Sequence, residues 1–250
     1  MSGPWNLAEG PGGTLRTYVT PHPVSDPMRS AVVICHDFPI GRGGAPDHGR
    51  SYLMLADRVA VESGRRVVTG TLRGAGGSEG DFSIEGWLED LAFLVDLAKG
   101  IGGAGVWLIG FGIGGALCLR HAASDEAIHG VASLGAPADL AGAASDPEGL
   151  LERVRSVGVI GRSDFPSDVA GWARQLADLR PLQAAADLRP RPLLVVHGAD
   201  DQDVPTAAAR ALAESAAPNS ELRLVFGAGH WLRADPRVVA TLMGWLERRH

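Results

Sequence analysis

The stretch Leu108-Ile109-Gly110-Phe111-Gly112-Ile113-Gly114-Gly115 decides how the rest of the chain is read. An apolar run, 106–109, enters a glycine-rich turn, and a helix-forming segment, 115–123, leaves it. Glycines two before and two after a central residue give the G-x-S-x-G spacing, in which a tight strand-to-helix turn holds a serine up as a nucleophile. The central residue here is Gly112, which has no oxygen or sulfur with which to attack a carbonyl. The local fold signal is present and the nucleophile is missing.

Working outward, strand and helix patterns alternate. Continuous apolar runs predict strands at 31–35, 66–72, 106–109, 130–134, 193–196 and 222–226, with an early edge strand at 14–19. Such runs are expected of parallel strands covered on both faces. Helices are predicted at 51–63, 83–97, 115–123, 206–215 and 236–248. The segment 83–97 is the clearest, with Ile84, Trp87, Leu88, Leu91, Leu94 and Val95 at helical spacing behind Ser83 as N-cap. Asp235 and Pro236 form a cap and first-turn pair for the last helix. The alternation predicts an α/β protein with a doubly wound, mostly parallel sheet and one domain over 1–250. Only 137–191 breaks the rhythm, with helical pieces at 148–157 and 167–179 and no strand. It reads as a small inserted helical cap, or else as one ordinary crossover with a long connection.

Composition limits the function classes. The chain has 250 residues, 45% hydrophobic and 21% charged, enough for a sizeable core. Net charge is −6 and Lys99 is the only lysine, so no basic cluster marks a nucleic-acid surface. No apolar run approaches the roughly 18 residues of a membrane span. The segment from Met1 to Trp5 lacks a basic-then-apolar leader, and a cytoplasmic location is expected. Cys35 and Cys118 fall in apolar patterns and are expected as buried small side chains. His22, His36, His48, His121, His129, His197 and His250 form no ligand spacing, so neither a metal nor a cofactor is expected. A small-molecule ligand or an ester-like substrate is the expected partner, and nothing sets the oligomeric state.

Two later stretches bear on chemistry. One is His197-Gly198-Ala199-Asp200-Asp201-Gln202-Asp203-Val204-Pro205, and the other is Gly227-Ala228-Gly229-His230-Trp231. Each follows a predicted strand. An acid and then a histidine, both downstream of the elbow, is the order of a Ser…Asp…His triad. Read alone, the three aspartates punctuate a turn and His230 is a surface-loop histidine. With Leu72-Arg73-Gly74-Ala75-Gly76-Gly77-Ser78, which is similar to an R-G-x-G-x-S loop, the chain from about Ala31 to its last helix resembles the α/β-hydrolase superfamily, in the lysophospholipase-like and dienelactone-hydrolase-like esterase branch, with the elbow serine replaced by glycine.

That resemblance implies Asp201 as the orienting acid, with Asp203 the alternative, and His230 as the base. It implies oxyanion donors in the amides of Ile113 and, in the loop Cys35-His36-Asp37-Phe38-Pro39, of Phe38. His36, Asp37 and Trp231 are carried along as substrate-binding positions. Asp37 departs from the family's H-G pattern. A carboxylate beside the hole disfavours an oxyanion unless it points away or is protonated. Its simplest role is a hydrogen bond within its own loop.

Loss of the serine from such a triad costs on the order of 10⁶ in turnover, or roughly 8 kcal/mol. Ser78, on another loop, and Cys118, well inside a helix, are not placed to replace it. Three readings follow. The chain binds a small molecule or a protein partner in the old site, or uses a His230–Asp201 dyad as general base, or descends from an esterase by substitution at position 112. On these readings the vacated space holds a water, an apolar lid-covered pocket lies above Gly112, and Gly112→Ser restores esterase activity.

Overall fold

A computed structural model describes residues 5–21, 29–40, 44–102 and 105–249. Residues 1–4, His22 and His250 lie outside the described residues. Eight strands form one sheet: β1 (Asn6–Gly10), β2 (Gly13–Val19), β3 (Ala31–Cys35), β4 (Val67–Thr71), β5 (Val106–Phe111), β6 (Ile128–Leu134), β7 (Leu193–Gly198) and β8 (Ser220–Val225). Their order is β1-β2-β4-β3-β5-β6-β7-β8. β1 and β2 join antiparallel and every other pair from β4 to β8 is parallel. The α/β class and the doubly wound, mostly parallel sheet are as expected. The early strand at 14–19 is not the edge, because β1 pairs along its outer side.

Helices α1 (Gly44–Asp47), α2 (Arg50–Ser63), α3 (Ile84–Ile101), α4 (Ile113–Ala122), α5 (Pro147–Val157), α6 (Val169–Asp178), α7 (Pro181–Asp187), α8 (Thr206–Ser215) and α9 (Pro236–Glu247) cover the sheet. Alternation along β3 shows how. Ala31, Val33 and Cys35 pack into the core shared with α3, α4 and α8, while Val32 and Ile34 pack into the core under α2 and α9. All five are fully buried, so β3 has no polar face. Full burial of Val32, Val33 and Ile34 contributes about 1.5–3 kcal/mol each. Cys35 and Cys118 are free and buried, as read. Ser83 caps α3 by accepting from the amide of Gly86, and Asp235 caps α9 by accepting from that of Arg237.

Between β6 and β7 the chain forms a 3-10 turn (Ala141–Ser145) and then α5, α6 and α7. α5 and α6 pack on each other and α6 reaches α3, whereas α7 packs on α4 and α8 within the layer beside the sheet. α7 is absent from the sequence reading, although Pro181 at its first position is a start signal. No helix among the described residues is long and apolar enough to cross a membrane.

The chain runs from β3 to β4 on one side and then to β5 on the other. Connections leaving the carboxyl ends of β3 and β5 therefore diverge and open a crevice between them, the place where open α/β sheets bind ligands. His36, Asp37 and Phe38 follow β3, and Gly112 and Ile113 follow β5.

Candidate active site

Gly112 joins β5 to α4 with φ 50° and ψ −124°, a backbone shape that costs a residue with a side chain and that glycine adopts freely. Its amide donates to Leu134 O at 2.8 Å, and its carbonyl accepts from Gly115 at 3.0 Å. α4 begins at Ile113, two residues earlier than the sequence pattern suggests, so the Ile113 amide has no acceptor within the helix and points out of its N-terminus. Gly114 lets this turn press against the β3 loop, since a Cβ there would run into the carbonyl of His36.

The β3 loop is pinned from three sides. His36 is fully buried; its Nδ1–H donates to the carbonyl of Asp37 at 2.7 Å and its Nε2 accepts from the amide of Leu72 at 2.9 Å. Burial pushes this imidazole down to about 4, so it stays neutral in that tautomer. The Asp37 amide donates to the Tyr52 hydroxyl from α2 at 3.0 Å. These contacts aim the Asp37 side chain at the elbow.

Its carboxylate fills the place left by the absent side chain. A Cβ built on Gly112 would fall on the carboxylate atoms of Asp37. Oδ1 of Asp37 accepts from the amides of Phe38 at 2.7 Å and Ile113 at 3.0 Å. Those are the two amides expected to serve as oxyanion donors. Oδ2 accepts from His230 Nε2 at 2.9 Å. Asp37 therefore neither points away nor confines its hydrogen bonds to its own loop, and the vacated space holds a carboxylate instead of a water.

His230, in the loop after β8, donates from Nδ1 to Asp201 Oδ2 at 2.8 Å. Asp201, in the loop after β7, is fixed through Oδ1 by the amides of Asp203 and Val204, both at 2.9 Å. Those amides hold Asp201 toward His230 and leave Asp203 outside the chain of hydrogen bonds. The His230 side chain is 6% exposed, that of Asp37 10% and that of Asp201 0%. The hydrogen bond to Asp37, with a further one to Asp201, raises the imidazole to about 9 against the opposing effect of burial. Burial resists ionisation of Asp201, but the Val204 amide, His230 and the Asp203 amide outweigh it and hold the carboxyl below its ordinary value. Near neutral pH His230 therefore keeps both ring protons, one toward Asp201 and one toward Asp37.

A cavity of about 470 Å³ opens over this row. Asp37, Gly112, Ile113 and His230 form its floor, Pro137 to Leu140 one wall, and Val204, Pro205 and Ala208 another. Ile40, 51% exposed, stands at its edge. Of the positions read from sequence, the structure brings Asp37, Phe38, Gly112, Ile113, Asp201 and His230 together. His36 lies behind the loop as its buried anchor, outside the cavity lining. Trp231 is 46% exposed, also outside the lining, with Arg233 stacked on its ring at 4.7 Å. Ser78 bonds to Thr71 and to the amide of Arg16, away from the cavity. Asp201, Asp203 and His230 lie close enough to be metal ligands, but the hydrogen bonds just described already engage Asp201 and His230 with each other.

In the sequence, Gly112 and Asp37 stand out as two departures from the family's pattern at one site, with no contact between them implied. The signal that joins them was there: one residue loses a side chain and another gains a carboxylate at the ends of adjacent strands.

Comparison with known proteins agrees with this frame. The structure resembles Est1E from Butyrivibrio proteoclasticus, solved with ferulic acid, at 20% identity and TM-score 0.70, covering 97% of this chain and 96% of that one. It resembles the esterase domain of a Rhodothermus marinus protein at 20% identity and TM-score 0.69, covering 98% and 97%. The Pyrococcus furiosus esterase Pf2001 is similar at 16% identity and TM-score 0.68, covering 98% and 92%. At these identities the likeness is one of fold. No curated protein matches the chain in sequence. The sequence pattern of the alpha/beta hydrolase family matches residues 32–242, from the central strand β3 into the last helix, and the chain belongs to that family.

Proposed function

We propose that this chain binds a small, largely apolar molecule in the cavity over Gly112 and has given up acyl transfer through a serine. The single observation behind this reading is the Asp37 carboxylate, which takes both oxyanion amides and the space of the missing side chain. An ester carbonyl entering the cavity finds no free oxyanion donor pair and no serine, the two features that acyl transfer needs most. In this reading Asp37 and His230 meet the ligand, Asp201 orients His230, and Phe38 and Ile113 hold Asp37. The volume is in the range of small-molecule sites, and Ile113, Leu140, Val204 and Pro205 favour an apolar body. Residues 137–191 serve as the cap, contributing one wall through Pro137 to Leu140.

A dyad acting as general base fits less well, because the hydrogen bond to Asp37 lets His230 keep its proton at neutral pH. Descent from an esterase by one substitution also fits less well, because a serine at position 112 would collide with Asp37, which itself departs from the family's pattern. The test is p-nitrophenyl acetate hydrolysis by the protein beside His230→Ala. Equal rates are expected; a rate that depends on His230 would contradict the reading.

A further inference from the structure

We propose that the molecule this cavity takes is a protonated primary amine on an aliphatic body, its ammonium held by Asp139 and Asp203. The inference rests on the reading above that a small molecule enters the cavity, and it names the class of that molecule. What decides the class is the balance of donors and acceptors that the walls still offer.

Donors are spent. Of the side chains that line the cavity, His230 alone carries a hydrogen-bond donor; the rest are aspartates, aliphatic residues, prolines and glycine. Both ring protons of His230 are already given to Asp201 and Asp37. The amides around the floor are engaged as well. Those of Phe38 and Ile113 donate to Asp37, that of Gly112 to Leu134 O, and those of Asp203 and Val204 to Asp201. A ligand carbonyl, carboxylate or phosphate therefore meets acceptors where it needs donors.

Acceptors are in surplus. Asp37, Asp139 and Asp203 all line the cavity, and only Asp37 has a basic partner, His230. Asp139 accepts from the amide of Ala141 at 2.9 Å, and neither it nor Asp203 forms an ion pair among the described residues. One carboxylate oxygen of Asp203 lies within 4.8 Å of a ring nitrogen of His230, beside the floor. The charge of His230 is answered by the two acids that flank it, so what remains unanswered in the cavity is negative. An ammonium supplies what is short: positive charge and three N–H donors. Walls that shield the pair from water strengthen the attraction relative to an open surface. Ile113, Leu140 and Val204 give an aliphatic chain its contact area. No Phe, Tyr or Trp lines the cavity, so a quaternary ammonium, which has no N–H to give, finds no ring face either.

The full-length protein is titrated at neutral pH with hexan-1-amine, hexan-1-ol, hexanoate and hexyltrimethylammonium, and binding is followed by ligand-observed NMR. The amine is expected to bind roughly tenfold more tightly than the alcohol, and hexanoate more weakly than either. Asp203→Asn keeps the backbone amide that fixes Asp201. It and Asp139→Asn are each expected to lower the ratio of amine to alcohol affinity by roughly threefold. Both probes report on the same folded molecules, so the ratio does not depend on how much of a variant is folded. Glu126→Gln removes an exposed acid outside the cavity lining and controls for general attraction to a chain of net charge −6; the ratio is expected to stay as it was. The proposal is overturned by an alcohol or a quaternary ammonium that binds as tightly as the amine, by a ratio that neither aspartate variant moves, or by one that Glu126→Gln lowers equally. If hexan-1-ol binds and the amine gains nothing over it, only the choice of an amine fails; if none of the probes binds, the binding reading fails as well.

Discussion

The carboxylate of Asp37 stands where a side chain on Gly112 would begin. One residue has vacated a space and another, from the neighbouring strand end, has filled it with a group that satisfies the same two amides and the same histidine. The two positions are energetically joined, and substitutions at them are expected to be strongly non-additive.

Gly112→Ser alone is therefore not expected to recover esterase activity, contrary to what the elbow spacing suggests. The new Cβ collides with Asp37, adds strain at a positive φ, and finds the oxyanion amides already taken. Asp37→Gly with Gly112→Ser removes the collision and frees both amides. The double variant is expected to hydrolyse p-nitrophenyl acetate in a His230-dependent way, above either single variant. A single Gly112→Ser variant as active as the double would contradict the coupling.

Gly114→Ala is expected to destabilise by about 1–3 kcal/mol, the usual cost of forcing extra volume into a packed contact. The new methyl meets the backbone carbonyl of His36, which the buried imidazole and the Leu72 amide prevent from moving aside. Urea denaturation measures the loss, and an unchanged midpoint would show that the β3 loop is less firmly pinned than it is here.

The pH dependence of stability follows from the same row. His230 has a folded value of about 9, above the ordinary histidine value of 6.5. Its contribution is complete below about pH 6.5 and is lost as pH rises through about 9. Asp201, held below its ordinary value, acts on the other side, and its contribution is lost as pH falls through its folded value. Between pH 6 and pH 10 the melting temperature of the protein should fall more steeply than that of His230→Gln. Parallel curves would mean that the imidazolium contributes nothing.

Much of the fold was legible because its signals are local. The buried runs at β3, β5 and β7 read directly as parallel strands, and Ser83 and Asp235 marked helix starts by their own capping chemistry. β1 escaped because it carries no continuous apolar run, its residues being largely exposed or half-buried. α7 escaped because seven residues hold too few turns to show a period. At the site, Asp201 and His230 were singled out by the order of their turns after the elbow together with the resemblance to the family. The role of Asp37 was not, since whether its side chain enters the elbow depends on His36, Leu72 and Tyr52, residues far apart in sequence that meet only in the folded chain.

The most direct measurement is an NMR titration of the His230 ring in the protein and in Asp37→Asn. The wild-type imidazole is expected to remain doubly protonated at neutral pH and to titrate near 9, and in Asp37→Asn its midpoint should fall by a unit or more toward the ordinary value. A wild-type midpoint near 6.5, unmoved by Asp37→Asn, would mean that the carboxylate does not sit against His230 at all.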